Sequence, residues 1–353
     1  MRIASVGRAL PANRYPQSAL TEAFLAMVDA PQELHRRTRV LHERVRVRHR
    51  HLALPIEAYA DIRTFGQAND AWIRCAVDLG ERAIRDALDR AGLGVDDVRA
   101  IFDVTVTGVA SPALDARLMN RMGFRPDTKR MPIFGLGCVA GVAGISRAVD
   151  YVKGHPDEVA VLLSVELCSL NVQKGDLSTA NLISTGLFGD GAAAVVVVGE
   201  EKARAMGLEG PKVLATRSVF YPGTEEVMGW TISERGFEIV LSEEVPRIAR
   251  EFLGRDVAAF LDDQGVERES IASWVCHPGG PKVLEAMASS LELTEKDVEL
   301  AWKVLAEQGN LSSASVLMVL REVFDAKRPA KGEKGVLVAM GPGFCSESVL
   351  VEW

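Results

Sequence analysis

The chain has 353 residues, 48% apolar and 25% charged, a composition that supports a large globular core or two fused ones. Its net charge of −7 argues against a nucleic-acid partner, the start Met1-Arg2-Ile3-Ala4-Ser5 lacks a signal peptide's apolar core, and the apolar runs 159–165 and 192–198 are too short to span a bilayer. Five cysteines (75, 138, 168, 276 and 345) form no C-x-x-C pair and six histidines show no metal-ligand spacing, which points to a reducing cytoplasm without disulfides or structural zinc.

In chain order, the first distinctive stretch is Arg44-Val45-Arg46-Val47-Arg48-His49-Arg50, where charged and apolar residues alternate. It reads as a half-exposed strand with a solvated cationic edge, or as a phosphate-binding strip, since arginine offers paired donors to phosphate oxygens. Residues 81–91 carry helical periodicity, 92–97 a turn and 100–107 a strand. In Phe134-Gly135-Leu136-Gly137-Cys138-Val139-Ala140-Gly141 a thiol lies between glycines where a strand gives way to a helical pattern over 139–152. It is either a buried structural cysteine or a nucleophile. A helix N-terminus would lower its pKa toward the thiolate. A near-continuous apolar strand covers 158–167, and Gly189-Asp190-Gly191 precedes another at 192–198.

The second half reads as a helix over 245–263, a turn over 265–270 and a strand over 272–277. In Cys276-His277-Pro278-Gly279-Gly280-Pro281, Pro and Gly stop the strand and leave the imidazole at its tip. Asn310, in Gln308-Gly309-Asn310-Leu311-Ser312-Ser313, takes the cap position of a helix over 311–324. Strand 335–340, Gly341-Pro342-Gly343 and strand 348–353 complete the chain.

These pieces repeat. Residues 97–101 match 270–274 at an offset of 173 (98 to 271), and Cys138 matches Asn310 at an offset of 172. Each half ends in a Gly-x-Gly turn and a strand. The pattern predicts a layered α/β protein of two duplicated halves, 1–205 and 206–353. A pseudo-twofold axis would bring Cys138, Asn310 and His277 to one cavity. Together they supply a nucleophile, a base and a neutral donor. A Cys–His pair can rest as thiolate and imidazolium, and Asn310 with His277 can stabilise an oxyanion or enolate.

Gly137-Cys138-Val139-Ala140-Gly141, Leu187-Phe188-Gly189-Asp190-Gly191-Ala192-Ala193-Ala194, His277-Pro278-Gly279-Gly280-Pro281, Gly309-Asn310-Leu311-Ser312-Ser313 and Gly341-Pro342-Gly343 occur in the order and spacing of one known family. The chain resembles the chalcone-synthase-like type III polyketide synthases of the thiolase superfamily. Class III ketoacyl carrier-protein synthases usually carry His-Gln-Ala-Asn where this chain has His277-Pro278-Gly279-Gly280, which favours the polyketide branch.

The resemblance implies a five-layer αβαβα thiolase-like fold and a homodimer. It implies that Cys138 holds the acyl chain taken from acyl-CoA. His277 would activate the thiol and, with Asn310, stabilise malonyl-CoA as carbon dioxide leaves; no metal or redox cofactor is needed. Phe188 aligns with the family's gatekeeper and Ile239 with a second one. Trp230 falls where plant enzymes have a small glycine, and Cys168, Val106 and Met340 would line the cavity. Arg44, Arg48 and Lys282 are the implied coenzyme A contacts. The 107–112 and 165–170 patterns resemble bacterial alkylpyrone and alkylresorcinol synthases, which implies a medium- or long-chain starter. Two other readings stand beside this one: a single-condensation enzyme of the 3-oxoacyl carrier-protein synthase III type, and an inactive acyl-binding scaffold.

Overall fold

Apolar strands and amphipathic helices assemble, in a computed structural model that describes residues 1–28, 31–326 and 329–353, around a nine-stranded mixed sheet. That sheet is two sheets meeting at one point. Strands Arg2–Ala9 and Lys212–Phe220 touch through the single pair Arg2 and Lys212. On one side, Val98–Thr105 runs parallel to Val159–Leu167, which pairs antiparallel with Asp190–Val198, which pairs antiparallel with Arg2–Ala9. On the other, Ile271–Cys276, Lys334–Gly341, Cys345–Glu352 and Lys212–Phe220 repeat the same senses. The repeat read from the sequence is therefore a repeat of topology. Edge strand Lys129–Phe134 belongs to the first side and has no counterpart among the described residues.

Every residue of Val159–Leu167 and Asp190–Val198 is buried, because helices cover both faces of the sheet. Helix Phe65–Ala91 covers the outer face; a Thr64–Gln67 capping box starts it, and Gly92 in the left-handed region ends it. Between the sheets lie helices Ala140–Gly154 and Ser313–Ala326, one from each half. They cross so closely at Gly141 that a Cβ there would stand 2.3 Å from the Ser313 carbonyl oxygen. The outer face of the second sheet is covered by Val245–Ile248, Ala249–Leu253 and Gly254–Asp263 in succession, and by Pro281–Ser290. The expected helix over 245–263 thus forms with one π-turn inside it. The result is the αβαβα layering, with one core between the sheets and around the second, and another under Phe65–Ala91.

Three local expectations change. Residues 44–50 are not one strand: helix Gln32–Arg44 ends there and only His49–Leu52 is extended. Val45 and Val47 turn inward, but so does Arg50, which breaks the expected cationic face. Cys138 lies in a 3-10 turn, Gly137–Val139, one step before its helix. Asn310 stands before helix Ser313–Ala326 rather than at its cap. Among the described residues, no helix is long and apolar enough to cross a membrane.

Candidate active site

Cys138, His277 and Asn310 reach the space between the halves from a turn, a strand end and a loop, and a chain of contacts joins them. Asn310 Nδ2 donates to the Gly279 carbonyl at 3.1 Å, tying it to the His277 loop. Its Oδ1 accepts from the Ser312 backbone N–H at 2.8 Å and from Ser315 Oγ at 3.3 Å. Ser312 Oγ in turn lies 3.7 Å from Cys138 Sγ. The Asn310 side chain also interacts directly with Cys138, whose thiolate it favours. His277 is fixed by its backbone N–H to Val338 O at 3.0 Å, while both ring nitrogens are buried without a hydrogen-bond partner.

Burial decides the charge states. It pushes the Cys138 thiol up to about 12; Ser312 and Asn310 oppose this, and buried Glu166 adds to it through space. Burial alone lowers His277 to about 3. Burial opposes the expected helix-start lowering of the thiol. Burial thus disfavours the charged form of each group taken alone.

Glu166 is a site residue that sequence reasoning passed over, although a carboxylate inside an apolar strand was a visible signal. Its Oε2 accepts from Thr107 Oγ1 at 2.8 Å and from the Val106 N–H at 3.1 Å, while Oε1 accepts from Ser313 Oγ. Burial raises it to about 6 against those bonds.

Phe188 pairs its backbone with Asn310 in a single parallel bridge across the halves. It also lines a cavity of about 90 Å³ together with Cys168, Trp230 and Ile239. Trp230 and Ile239 face each other across the hairpin Met228–Ser233 and Gly236–Leu241. Four of the expected cavity residues thus share one wall. Val106 and Met340 lie outside it: the first is buried beside Glu166, the second in the core of strand Lys334–Gly341. Leu20, Phe24, Met27 and Ile62 extend the cavity on its apolar side.

Of the expected cationic residues, Arg44 is exposed at a helix end and Lys282 is exposed in the first turn after the His277 loop. Arg48 is exposed but engaged with Glu307. Beneath this strip, Val45, Val47, Leu187 and Leu305 pack with Phe188 and Trp302. The strip thus lies over the Phe188 side of the site.

Comparison with known proteins agrees with this architecture. Residues 1–201 match the family model for the N-terminal domain of chalcone and stilbene synthases, and residues 212–353 match that for the C-terminal domain. A 1,3,6,8-tetrahydroxynaphthalene synthase of Streptomyces peucetius subsp. caesius is 51% identical over 99% of this chain and 93% of its own. A 3,5-dihydroxyphenylacetyl-CoA synthase of Streptomyces toyocaensis is 32% identical over 100% of this chain and 90% of its own. The crystal structure of the 1,3,6,8-tetrahydroxynaphthalene synthase of Streptomyces coelicolor A3(2) superposes with a TM-score of 0.93 at 32% identity, covering 100% of this chain and 99% of that one.

Proposed function

From the premise that the chain belongs to the chalcone and stilbene synthase family, and is a type III polyketide synthase and an acyltransferase, we propose that Cys138 is its nucleophile and that His277 and Asn310 complete the machinery. The observation that carries this is the continuous contact path from Cys138 through Ser312 and Asn310 to the His277 loop. Neutral His277 takes the thiol proton as sulfur attacks the starter thioester, and coenzyme A leaves as a thiolate that takes the proton back from His277. Malonyl-CoA then loses its carboxylate as carbon dioxide. The electron pair of the broken C–C bond forms an enolate, whose oxygen is held by Asn310 Nδ2–H and the His277 ring N–H. The enolate carbon attacks the Cys138 thioester, a new C–C bond forms, and the sulfur leaves as thiolate. Buried donors matter here because an enolate does not survive in water; one such donor is worth about 3 kcal/mol of barrier.

The product we assign is a polyhydroxylated arene of the tetrahydroxynaphthalene type, built from malonyl-CoA. Ten ring carbons with oxygen on alternate positions are what two-carbon units deliver. The 51% identity to a 1,3,6,8-tetrahydroxynaphthalene synthase over 99% of the chain supports this reading. The apolar extension through Leu20, Phe24 and Met27 favours a second reading, in which a medium- or long-chain acyl-CoA is extended to an alkylpyrone or alkylresorcinol. In either case residues 1–205 carry the nucleophile and 206–353 the His and Asn. The enzyme works as a cytoplasmic homodimer, and Arg44, Arg48 and Lys282 meet the coenzyme A phosphates. Incubation with malonyl-CoA alone, and with acetyl-, hexanoyl- and lauroyl-CoA added, separates the readings by product mass. Undiminished product from Cys138→Ala would remove the nucleophile assignment.

A further inference from the structure

Arg50 is 4% exposed, and its guanidinium enters no ion pair among the described residues. Asp190 supports its charge through space, but spends its own oxygens on the Ser169 N–H, Ser169 Oγ and the Ala53 N–H. A buried cation without a carboxylate partner is costly, so its hydrogen bonds have to account for its presence.

Those bonds go to one place. Nη1 donates to the Phe188 carbonyl at 2.7 Å, and Nε to Gln17 Oε1 at 3.0 Å. Gln17 Nε2 passes the connection on to the Gly186 carbonyl at 2.7 Å. Both carbonyls lie at the C-terminal end of helix Thr179–Leu187, where main-chain acceptors lack intrahelical donors and a cation is favoured. The aliphatic stem lies beside Gly309. A Cβ on Gly309 would stand 3.1 Å from both Arg50 Cγ and Cδ, and 2.7 Å from the Leu187 carbonyl oxygen. Gly309, at φ 77°, also needs the left-handed freedom of glycine.

The next residue is Asn310. Its N–H donates to Leu187 O at 2.9 Å, and its carbonyl accepts from the Gly189 N–H at 3.0 Å. Residues 187–189 and 309–310 thus touch in one isolated bridge between the halves, and Arg50 grips both partners, one by hydrogen bond and one by packing.

We propose that Arg50 is a positioning residue: by holding the Phe188 carbonyl against the Gly309–Asn310 backbone, it sets the aim of the Asn310 side-chain N–H and the gatekeeper ring at the reacting carbonyl. This rests on the assignment of Asn310 as an enolate donor. Arg50 also lines the cavity shared by Phe188 and Trp230, but its hydrogen bonds go to the bridge rather than to the nucleophile, so its effect falls on the condensation step rather than on acylation of Cys138. An aim shifted by about 1 Å is enough to slow a reaction by about 100-fold.

The test uses Arg50→Met, which keeps the stem, Arg50→Lys, which keeps stem and charge but not the forked donors, and Gln17→Met, which removes the outer support. Each is measured for thermal unfolding, starter loading on Cys138 by intact mass, carbon dioxide released per polyketide formed, and kcat and KM for malonyl-CoA. Arg50→Met and Arg50→Lys are expected to load starter as the wild type does and to keep KM within about 3-fold. Their kcat is expected to fall about 10- to 100-fold, with excess carbon dioxide per product. Gln17→Met is expected to show a smaller change in the same direction. Folded variants with wild-type kcat and coupling overturn the proposal. So does a loss that tracks starter loading, and so does failure of all three to fold, which would make Arg50 a fold element only. A wild type inactive on malonyl-CoA would instead count against the proposed function.

Discussion

Ser312 places its hydroxyl 3.7 Å from Cys138 Sγ, with its backbone at φ 48°, in the left-handed region where a serine is strained. The strain is held by the Asn310 Oδ1 bond to the Ser312 N–H. The hydroxyl works against the burial that keeps the thiol protonated. Ser312→Ala removes only that help and is expected to slow iodoacetamide alkylation of Cys138 about 3- to 10-fold at fixed pH, through a higher thiol pKa. Ser312→Gly loses the hydroxyl too but relieves the backbone, and is expected to be more stable than Ser312→Ala by about 0.5–1 kcal/mol in urea unfolding. Equal alkylation rates in wild type and both variants would remove Ser312 from the site.

The resting charges of Cys138 and His277 give a second expectation. The thiol stands at about 12 and the imidazole at about 3, so neither changes charge alone near neutrality. Alkylation of Cys138 in the free enzyme should rise about tenfold per pH unit from about pH 6 to 9 without a plateau. A plateau reached by about pH 7 would mean a resting thiolate–imidazolium pair, and would sink the neutral state.

Asn310 has two functions that one substitution separates. Its Oδ1 holds the Ser312 N–H, while its Nδ2 donates to the Gly279 carbonyl and, in the proposed mechanism, to the reacting carbonyl. Asn310→Asp keeps the acceptor and loses the donor. It should unfold within a few degrees of the wild type, yet lose about 100-fold or more in malonyl-CoA decarboxylation, the usual loss for one oxyanion donor. Asn310→Ala should lose both activity and melting temperature. Decarboxylation near the wild-type rate in Asn310→Asp would shift the donor role elsewhere.

Buried carboxyls set the pH profile of stability. Burial first, then the neighbouring Asp115 charge, raises Asp103 to about 7; Glu166 and Asp190 rise to about 6. A raised carboxyl is protonated in both states at low pH. As pH climbs from 3.8 to about 7, the unfolded Asp103 ionises while the folded one does not, so stability falls across that window. His42 and His277, lowered by burial to about 4 and 3, act in the opposite sense and lose stability as pH drops below 6.5. Asp103 Oδ1 has no partner, so Asp103→Asn sacrifices no bond there. This variant is expected to match the wild type at about pH 4 and to exceed it by about 1–3 kcal/mol at about pH 8, below the limit set by a shift of about three units. Parallel melting curves for the two proteins across that range would refute the linkage.

Much of this was readable from the chain, for identifiable reasons. The duplication showed because continuous apolar strands and Gly-x-Gly turns leave marks at fixed offsets, and the paired strand senses on either side of Arg2 and Lys212 bear it out. Trp230 and Ile239 could be named from the resemblance, but their facing each other depends on hairpin register. What stayed hidden was set by burial. The helix-start argument for Cys138 left out the burial that opposes it, because no local pattern reports how dry a turn becomes. Arg50 looked like one more arginine of an alternating strip. It turned inward because the extended segment begins only at His49, after the chain has left helix Gln32–Arg44.

In the proposed reaction, Trp230 is the residue expected to limit the space beside Phe188 and Ile239. Its indole lines the cavity opposite Ile239 and leans on Phe237, with ring centroids 6.0 Å apart. Phe237 in turn contacts Phe65 and Phe134, so the hairpin remains anchored if the indole is removed. Trp230→Ala should therefore fold, losing about 1–2 kcal/mol for a half-buried aromatic, and should open the cavity toward Met27 and Phe24. With a short starter its products should lengthen or lose regular cyclisation, because a flexible chain in a wider space is less constrained. With lauroyl-CoA its rate should rise relative to the wild type. If the variant folds and neither change appears in the product masses, the indole does not set the chain length.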